Sequence, residues 1–184
     1  MAPRAKRYGV LIALAAFLFV APAAAEGPVS LDPALKGALA RLEPLKGAPV
    51  ARAELDGKPV IVTFFASWCP PCRAEFEQLA RLMLRRGVER QTVIAVDWYE
   101  DWGGFAGKPG RLQRFIAGAH PRIYFLSGTA PVIDAFEGVP RIPSLFVFDA
   151  RGREIFRFLH RAGSDKTYVT AEELAAILEP LGEE

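Results

Sequence analysis

The spacing of apolar and polar positions changes several times along the chain, and each change predicts an element. From Val60 to Phe65 nearly every position is apolar (Val60, Ile61, Val62, Phe64, Phe65). An apolar run of that length predicts a central strand covered on both faces, as in a sheet with helices on either side. Behind it the spacing becomes helical. Phe76, Leu79, Ala80 and Met83 form one stripe, so a helix is expected from about Pro71 to Arg86, ended by Gly87. Thr92 to Val96 reads as the next strand. Leu112, Phe115 and Ile116 predict a helix over Arg111 to Ala117, followed by a short strand from Arg122 to Leu126. Pro131 to Phe136 reads as a short helix ended by Gly138. Leu145 to Phe148 is then a strand, Asp149 to Gly152 a turn, and Glu154 to Leu159 the returning arm of a hairpin. Thr170 and Glu173 make a capping box for a last helix carrying Leu174, Ile177 and Leu178. Ahead of the central strand, Asp32 caps a helix with Pro33 at its first position and Leu35, Leu39 and Leu42 on one face. Pro44 stops that helix, and Pro49 to Leu55 is a strand candidate before the Asp56-Gly57 turn. The order of elements is that of an α/β protein with an antiparallel hairpin near its end.

The amino-terminal pattern is of another kind. Arg4, Lys6 and Arg7 precede the unbroken apolar run Val10 to Val20, and Ala23-Ala24-Ala25 places small residues at −3 and −1 before Glu26. These are the parts of a signal peptide over residues 1–25. The stretch from Tyr8 to Ala25 also reaches the roughly 17–25 residues that a membrane-spanning helix needs. An uncleaved anchor is therefore the alternative, and Pro22 with the small residues around it favours cleavage. Either reading exports the domain, to the periplasm, as a soluble protein or one anchored at the inner membrane through residues 8–25. No cysteine follows the apolar run, which argues against a lipoprotein anchor. Residues 26–48 then form a linker and helix, and residues 49–182 the main domain.

Composition narrows the class. The chain has 184 residues, 51 % hydrophobic and 24 % charged, which suits one globular domain and excludes a disordered chain. The formal net charge is +2, but three of the 23 basic residues lie in the leader, which holds no acid. Beyond it, 20 basic residues face 21 acidic ones, so nothing suggests a nucleic-acid surface.

Candidate chemistry sits where the apolar run meets the first long helix. Cys69 and Cys72 are the only cysteines. Two thiols two residues apart, at the amino end of a helix behind a buried strand, suit dithiol–disulfide exchange. The thiolate is the attacking species, and Cys69 falls where the unpaired amides of the helix start lower a thiol pKa. Cys69 is thus the expected nucleophile and Cys72 the resolving thiol. Pro70 and Pro71 between them have no amide hydrogen and no charge. A strongly oxidising pair needs its thiolate heavily stabilised, so this turn points to a reducing or mildly poised couple. Trp68 is expected to shield the Cys69 sulfur. Glu75 lies one turn past Cys72. Buried there, it would take a proton from Cys72 during exchange; exposed, it is an ordinary solvated acid. Two bland readings of the cysteines stay open, a structural disulfide and half of a zinc site. The first would close a very small loop and stabilise little. The second needs about four ligands, and only His120 and His160 are left to join, neither at finger spacing.

The stretch FFASWCPPCRAEFEQL, together with Ile142-Pro143 about seventy residues on, before the strand Leu145-Phe146-Val147-Phe148-Asp149, resembles exported thioredoxin-like proteins of the TlpA/ResA/CcmG group. The resemblance covers about Leu55 to Leu181. It implies a thioredoxin fold, a central mixed sheet flanked by helices, with an αβ insertion between about Asp101 and Phe136 and an N-terminal extension. It implies a cis Pro143 that places the Ile142 backbone beside Cys69 to pair with an incoming peptide strand, and it matches Glu75 to an active-site acid. The acid that cytoplasmic thioredoxin buries in the preceding strand is replaced here by Thr63, which cannot act as a base. A cluster of Trp98, Tyr99 and Trp102 with Asp97, Glu100 and Asp101 has no counterpart in the family pattern. Packing over the core is the simpler reading of its aromatics; a partner-binding wall near the cysteines, with acids suited to a basic segment, is the sharper one.

The expected function is a thiol–disulfide oxidoreductase that reduces disulfides in exported proteins through Cys69 and Cys72, with that disulfide as its redox group and no other cofactor or metal. The resemblance implies a membrane thiol electron donor of the CcdA/DsbD type, and targets such as apocytochrome c during cytochrome c maturation or proteins of oxidase copper-site assembly. A disulfide oxidase or isomerase is the alternative enzyme. A copper-binding module on the same scaffold is the non-enzymatic one, and Met83 is the only further soft ligand in the mature chain.

Overall fold

The computed structural model describes residues 27–102 and 109–182. The leader and the glycines Gly103, Gly104 and Gly107 lie outside the described residues. Among those described, no helix is long and apolar enough to cross a membrane.

The apolar run becomes β1 (Val60–Phe65), buried at every position. Successive strand residues face opposite sides of a sheet, so Phe64 and Phe65 begin two separate aromatic clusters. Phe64 meets Phe136 and Phe146 with ring centroids 5.0 and 6.0 Å away. Phe65 meets Phe76, Phe115 and Phe125 at 5.2 to 5.5 Å. Such ring pairs add about 0.5–1.5 kcal/mol each beyond the area they bury. The second cluster fastens helix α2 (Pro70–Arg86) and helix α3 (Arg111–Ala117) to one face of the sheet. Helix α1 (Pro33–Ala40) and helix α4 (Ala130–Ala135) pack together. Phe136, which ends α4, belongs to the Phe64 cluster on the other face.

Strand β2 (Thr92–Asp97) lies parallel to β1, with Phe65 opposite Asp97. Strand β3 (Tyr124–Ser127) is parallel to β2. On the other side of β1, strand β4 (Ser144–Phe148) and strand β5 (Glu154–Leu159) run antiparallel. The order β3-β2-β1-β4-β5 is a mixed sheet flanked by helices, the thioredoxin arrangement that the sequence implied. Helix α5 (Ala171–Leu178), with its Thr170–Glu173 capping box, packs on α2. Between β2 and β4 the chain contributes α3, β3 and α4, so the insertion extends the sheet outside β2.

One expected element is different. Pro49 to Leu55 is not a strand; Arg52–Leu55 forms a 3-10 turn. Both edges of β1 are taken, and the outer edge of β3 is covered by residues 43–45, where Leu45 N–H donates to Phe125 O and Ser127 N–H to Glu43 O, each at 2.8 Å. Ala-Arg-Ala-Glu, with no β-branched side chain, has no pressing reason to extend. Strand β3 also starts later than expected, because Ile123 N–H closes a turn onto His120 O. At the opposite side of the sheet, Ser30 bridges Arg153 and Leu31 N–H donates to Gly152 O at 2.9 Å. Gly152 has φ +80°, and a Cβ there would lie 2.5 Å from Leu31 O, so only glycine fits that approach. The N-terminal segment therefore protects both sheet edges.

Candidate active site

β1 ends pointing its carboxyl end at the start of α2, and the chain between them carries the cysteines. Cys69 is the N-cap of α2, extended at φ −86° and ψ 111°. Pro70 and Pro71 occupy the first helical positions, where an amide hydrogen would have no intrahelical partner. The helix thus begins at Pro70, one residue before the expected start. The Cys69 sulfur accepts the Cys72 N–H at 3.2 Å and is joined to the Cys72 sulfur in a disulfide, with Cα atoms 5.3 Å apart. The positive end of the helix dipole lies beside that sulfur. Cys69 keeps 4 % exposure while Cys72 has none. The pair is asymmetric in access, which is what an attacking and a resolving thiol require.

Glu75 follows Cys72 by one turn on the same helix and is fully buried. The solvated-face reading is excluded. The Thr63 hydroxyl donates to Glu75 Oε1 at 2.5 Å, and Oε2 has no hydrogen-bond partner among the described residues. Burial raises the carboxyl from 4.5 to about 7, while the Thr63 hydroxyl and the nearby Val169 amide, which makes no full hydrogen bond, offset part of that rise. Thr63 is therefore more than a vacated acid position: it orients the acid that replaced it. The same hydroxyl lies 3.4 Å from Ser144 O.

The second half of the site comes from the start of β4. The Ile142-Pro143 peptide bond is cis. Ile142 lines a groove of about 370 Å³ that Cys69, Trp68, Tyr99, Trp102 and His160 also line. Trp68 stacks on Trp102 (centroids 5.7 Å, planes 22° apart), and its Nε1–H donates to Tyr99 O at 2.9 Å. Trp102 is 59 % exposed. The unplaced aromatic cluster thus divides. Trp98 and Tyr99 pack against the core, and Tyr99 with Trp102 also forms a wall of the groove.

Several contacts escaped the sequence reading. Glu100 accepts the Ser67 N–H at 2.8 Å and the Ser67 hydroxyl at 2.6 Å, and pairs with Arg111 at 2.9 Å. Arg111 Nε also donates to the Ser67 hydroxyl at 2.8 Å. These bonds hold the turn before Cys69 and keep the Glu100 carboxyl below its usual range despite partial burial. Tyr99, with φ +70°, donates its hydroxyl to Val139 O at 3.2 Å and so ties this loop to the one before Pro143. Asp97 is half-buried, Oδ1 lacks a partner among the described residues, and burial with Glu100 and Asp101 nearby raises it to about 7. The acids beside the aromatics are largely committed inward rather than offered to a basic partner; Asp101 alone is exposed. No sequence spacing links Ser67 to Glu100 or Ile142 to His160, because the fold supplies those meetings. Among the described residues, no three His, Cys, Asp or Glu side chains gather as a metal site.

Comparisons with known proteins agree with this geometry. The Redoxin family profile matches residues 29–176. The thiol:disulfide interchange protein HelX of Rhodobacter capsulatus is 36 % identical over 138 residues, 71 % of each chain. The thiol:disulfide interchange protein DsbE of Escherichia coli is 30 % identical over 200 residues, covering 97 % of this chain and 98 % of its own. Among solved structures, a DsbF homologue from Corynebacterium diphtheriae superposes with a TM-score of 0.60 at 22 % identity, over 90 % of this chain and 99 % of that one.

Proposed function

The chain belongs to the redoxin family and is a thioredoxin-like thiol–disulfide oxidoreductase, and from that premise we propose that it runs as a reductase of disulfides in exported proteins. The observation that carries this direction is the thin donor set at Cys69. Among the described residues its sulfur accepts one N–H, from Cys72, while Pro70 and Pro71 supply none. A couple that strongly oxidises its partners needs a heavily stabilised thiolate, and this turn gives only one amide and a helix start.

In the reduced protein, the Cys69 thiolate attacks one sulfur of the substrate disulfide. The substrate S–S bond breaks, and the departing sulfur leaves with the electron pair and takes a proton from water. The Glu75 carboxylate takes the proton of the Cys72 thiol, and the Cys72 sulfur attacks Cys69. The second substrate sulfur leaves with its electron pair and takes a proton from water, and the Cys69–Cys72 disulfide remains. In all, two electrons pass from the cysteine pair to the substrate, both substrate thiols take their protons from water, and Glu75 releases the Cys72 proton to water. Trp68, Ile142 and Pro143 bind the substrate chain, and no cofactor beyond the cysteine pair takes part.

The leader supports export to the periplasm, with residues 1–25 cleaved or kept as an anchor. A membrane thiol carrier of the CcdA/DsbD type re-reduces the pair. Apocytochrome c and copper-site assembly proteins, with closely spaced cysteines, are the substrates that the family resemblance favours. The deciding measurement is the reduction potential of the Cys69–Cys72 couple in defined thiol buffers. A value between about −200 and −270 mV is expected, and one near −120 mV would overturn the reductase in favour of an oxidase. Cys72→Ser is expected to trap a mixed disulfide with a cysteine-pair peptide through Cys69, while Cys69→Ser traps none; the reverse pattern would exchange the two roles.

A further inference from the structure

The end of β5 reaches the docking loop. Leu159 stands opposite Ser144 in the antiparallel register, so the next residue, His160, falls beside the Ile142-Pro143 segment. His160 Nδ1 lies 2.9 Å from Ile142 O. A carbonyl oxygen only accepts, so Nδ1 carries the hydrogen and donates. The ring is steadied by stacking on Phe158, with centroids 6.4 Å apart and planes 15° apart. Both His160 and Ile142 line the groove beside Cys69.

A carbonyl has two lone pairs. The imidazole occupies one and leaves the other, and among the described residues no acceptor meets the Ile142 N–H. Ile142, which lines the groove, therefore keeps one donor and one lone pair unengaged among the described residues, the two groups by which an extended chain adds to a strand edge. We infer that His160 is a positioning residue: by holding the Ile142 carbonyl it fixes the peptide plane onto which substrate backbone pairs, and so favours disulfides carried on extended polypeptide over small disulfides. This rests on the substrate-docking role proposed above for Ile142.

The test compares wild-type protein with His160→Phe and His160→Asn, on a cystine-bridged peptide and on 2-hydroxyethyl disulfide, which has no backbone to pair. Phenylalanine keeps the ring and its stack but loses the donor. Asparagine places an amide N–H near the Nδ1 position. One hydrogen bond is worth about 0.5–1.5 kcal/mol, so His160→Phe should raise KM for the peptide by about 2- to 13-fold. Its kcat should fall less than KM rises, and its loss on 2-hydroxyethyl disulfide should be smaller. His160→Asn should recover most of the peptide KM. Equal losses on both disulfides, an unchanged peptide KM in His160→Phe, or no recovery in His160→Asn would overturn the assignment. Exchange is scored in whichever direction the wild-type protein runs it. A protein that oxidises thiols would sink the reductase reading while the comparison of substrates still decides the role of His160.

Discussion

Replacing Glu75 with glutamine tests the buried acid without using catalysis as the readout. In the oxidised protein neither cysteine titrates, so the carboxyl can be followed by itself. Its burial raises it from 4.5 to about 7. Between those values the folded protein keeps a proton that the unfolded chain has released. The free energy of unfolding then falls as pH rises, because the folded state binds more protons. By pH 8 the cost of carrying Glu75 ionised is fully present, at about 3 kcal/mol. Glutamine has the same shape and keeps an oxygen to accept the Thr63 hydroxyl. Its NH₂ group takes the place of Oε2, which has no partner among the described residues. That costs about 1–3 kcal/mol, but at every pH alike. The slope is therefore the measurement, not the absolute stability. Urea unfolding of the oxidised proteins from pH 4 to 8, followed by tryptophan fluorescence, should show Glu75→Gln gaining on wild type by about 3 kcal/mol across the range. Asp97, also raised to about 7, is present in both proteins and cancels in the difference. Parallel stability curves would refute the reasoning, because Glu75 would then not be holding its proton in the folded state.

Two neighbours of the cysteine turn give further tests. Thr63→Val removes the hydroxyl that favours ionised Glu75, so the pH midpoint of exchange should move upward, with about 1 kcal/mol of stability lost. A downward move in the pH–rate profile would contradict that hydrogen bond. Glu100→Gln weakens the hold on Ser67 and Arg111, and should cost about 1–3 kcal/mol at pH 7. Because the Glu100 carboxyl is held below its usual range, its contribution is present above pH 4.5 and lost on acidification. The gap to wild type should therefore narrow at low pH in denaturant titrations, and a constant gap would count against the ion pair as its source.

The parts of this molecule legible in the sequence are those written in local spacing. The all-apolar Val60–Phe65, the helical stripe behind it and the capped Cys69 each depend on a few consecutive residues. Glu75 was legible as a position, not as an environment. Its environment includes Thr63 of β1 and the backbone of Val169, near the other end of the chain. Ser67–Glu100–Arg111 and Ile142–His160 were not legible at all. Both join segments that the sheet brings together: Ser67 meets Glu100 across 33 residues and Arg111 across 44, and Ile142 meets His160 across 18. The strand expected over Pro49–Leu55 failed for a related reason: a strand needs a free edge, and edges are a property of the whole sheet.

The division of work within the site follows from the same geometry. In the proposed cycle Glu75 accepts the Cys72 proton as the disulfide closes. The oxidised form, with its carboxyl raised to about 7 beside an uncharged disulfide, is the state left after that transfer. Run backward, the same acid returns the proton to a departing Cys72 thiolate, so its help is equal in both directions. In that proposed cycle Glu75 would lower the barrier and leave the direction unchanged. The direction is decided by how well the free Cys69 thiolate is stabilised against its disulfide. There the chain spends two consecutive residues on prolines, in the turn where further amides would otherwise stand near the sulfur. Placing the proton handler one turn inside the helix and the donor-poor turn at its start lets rate and potential be set by different residues.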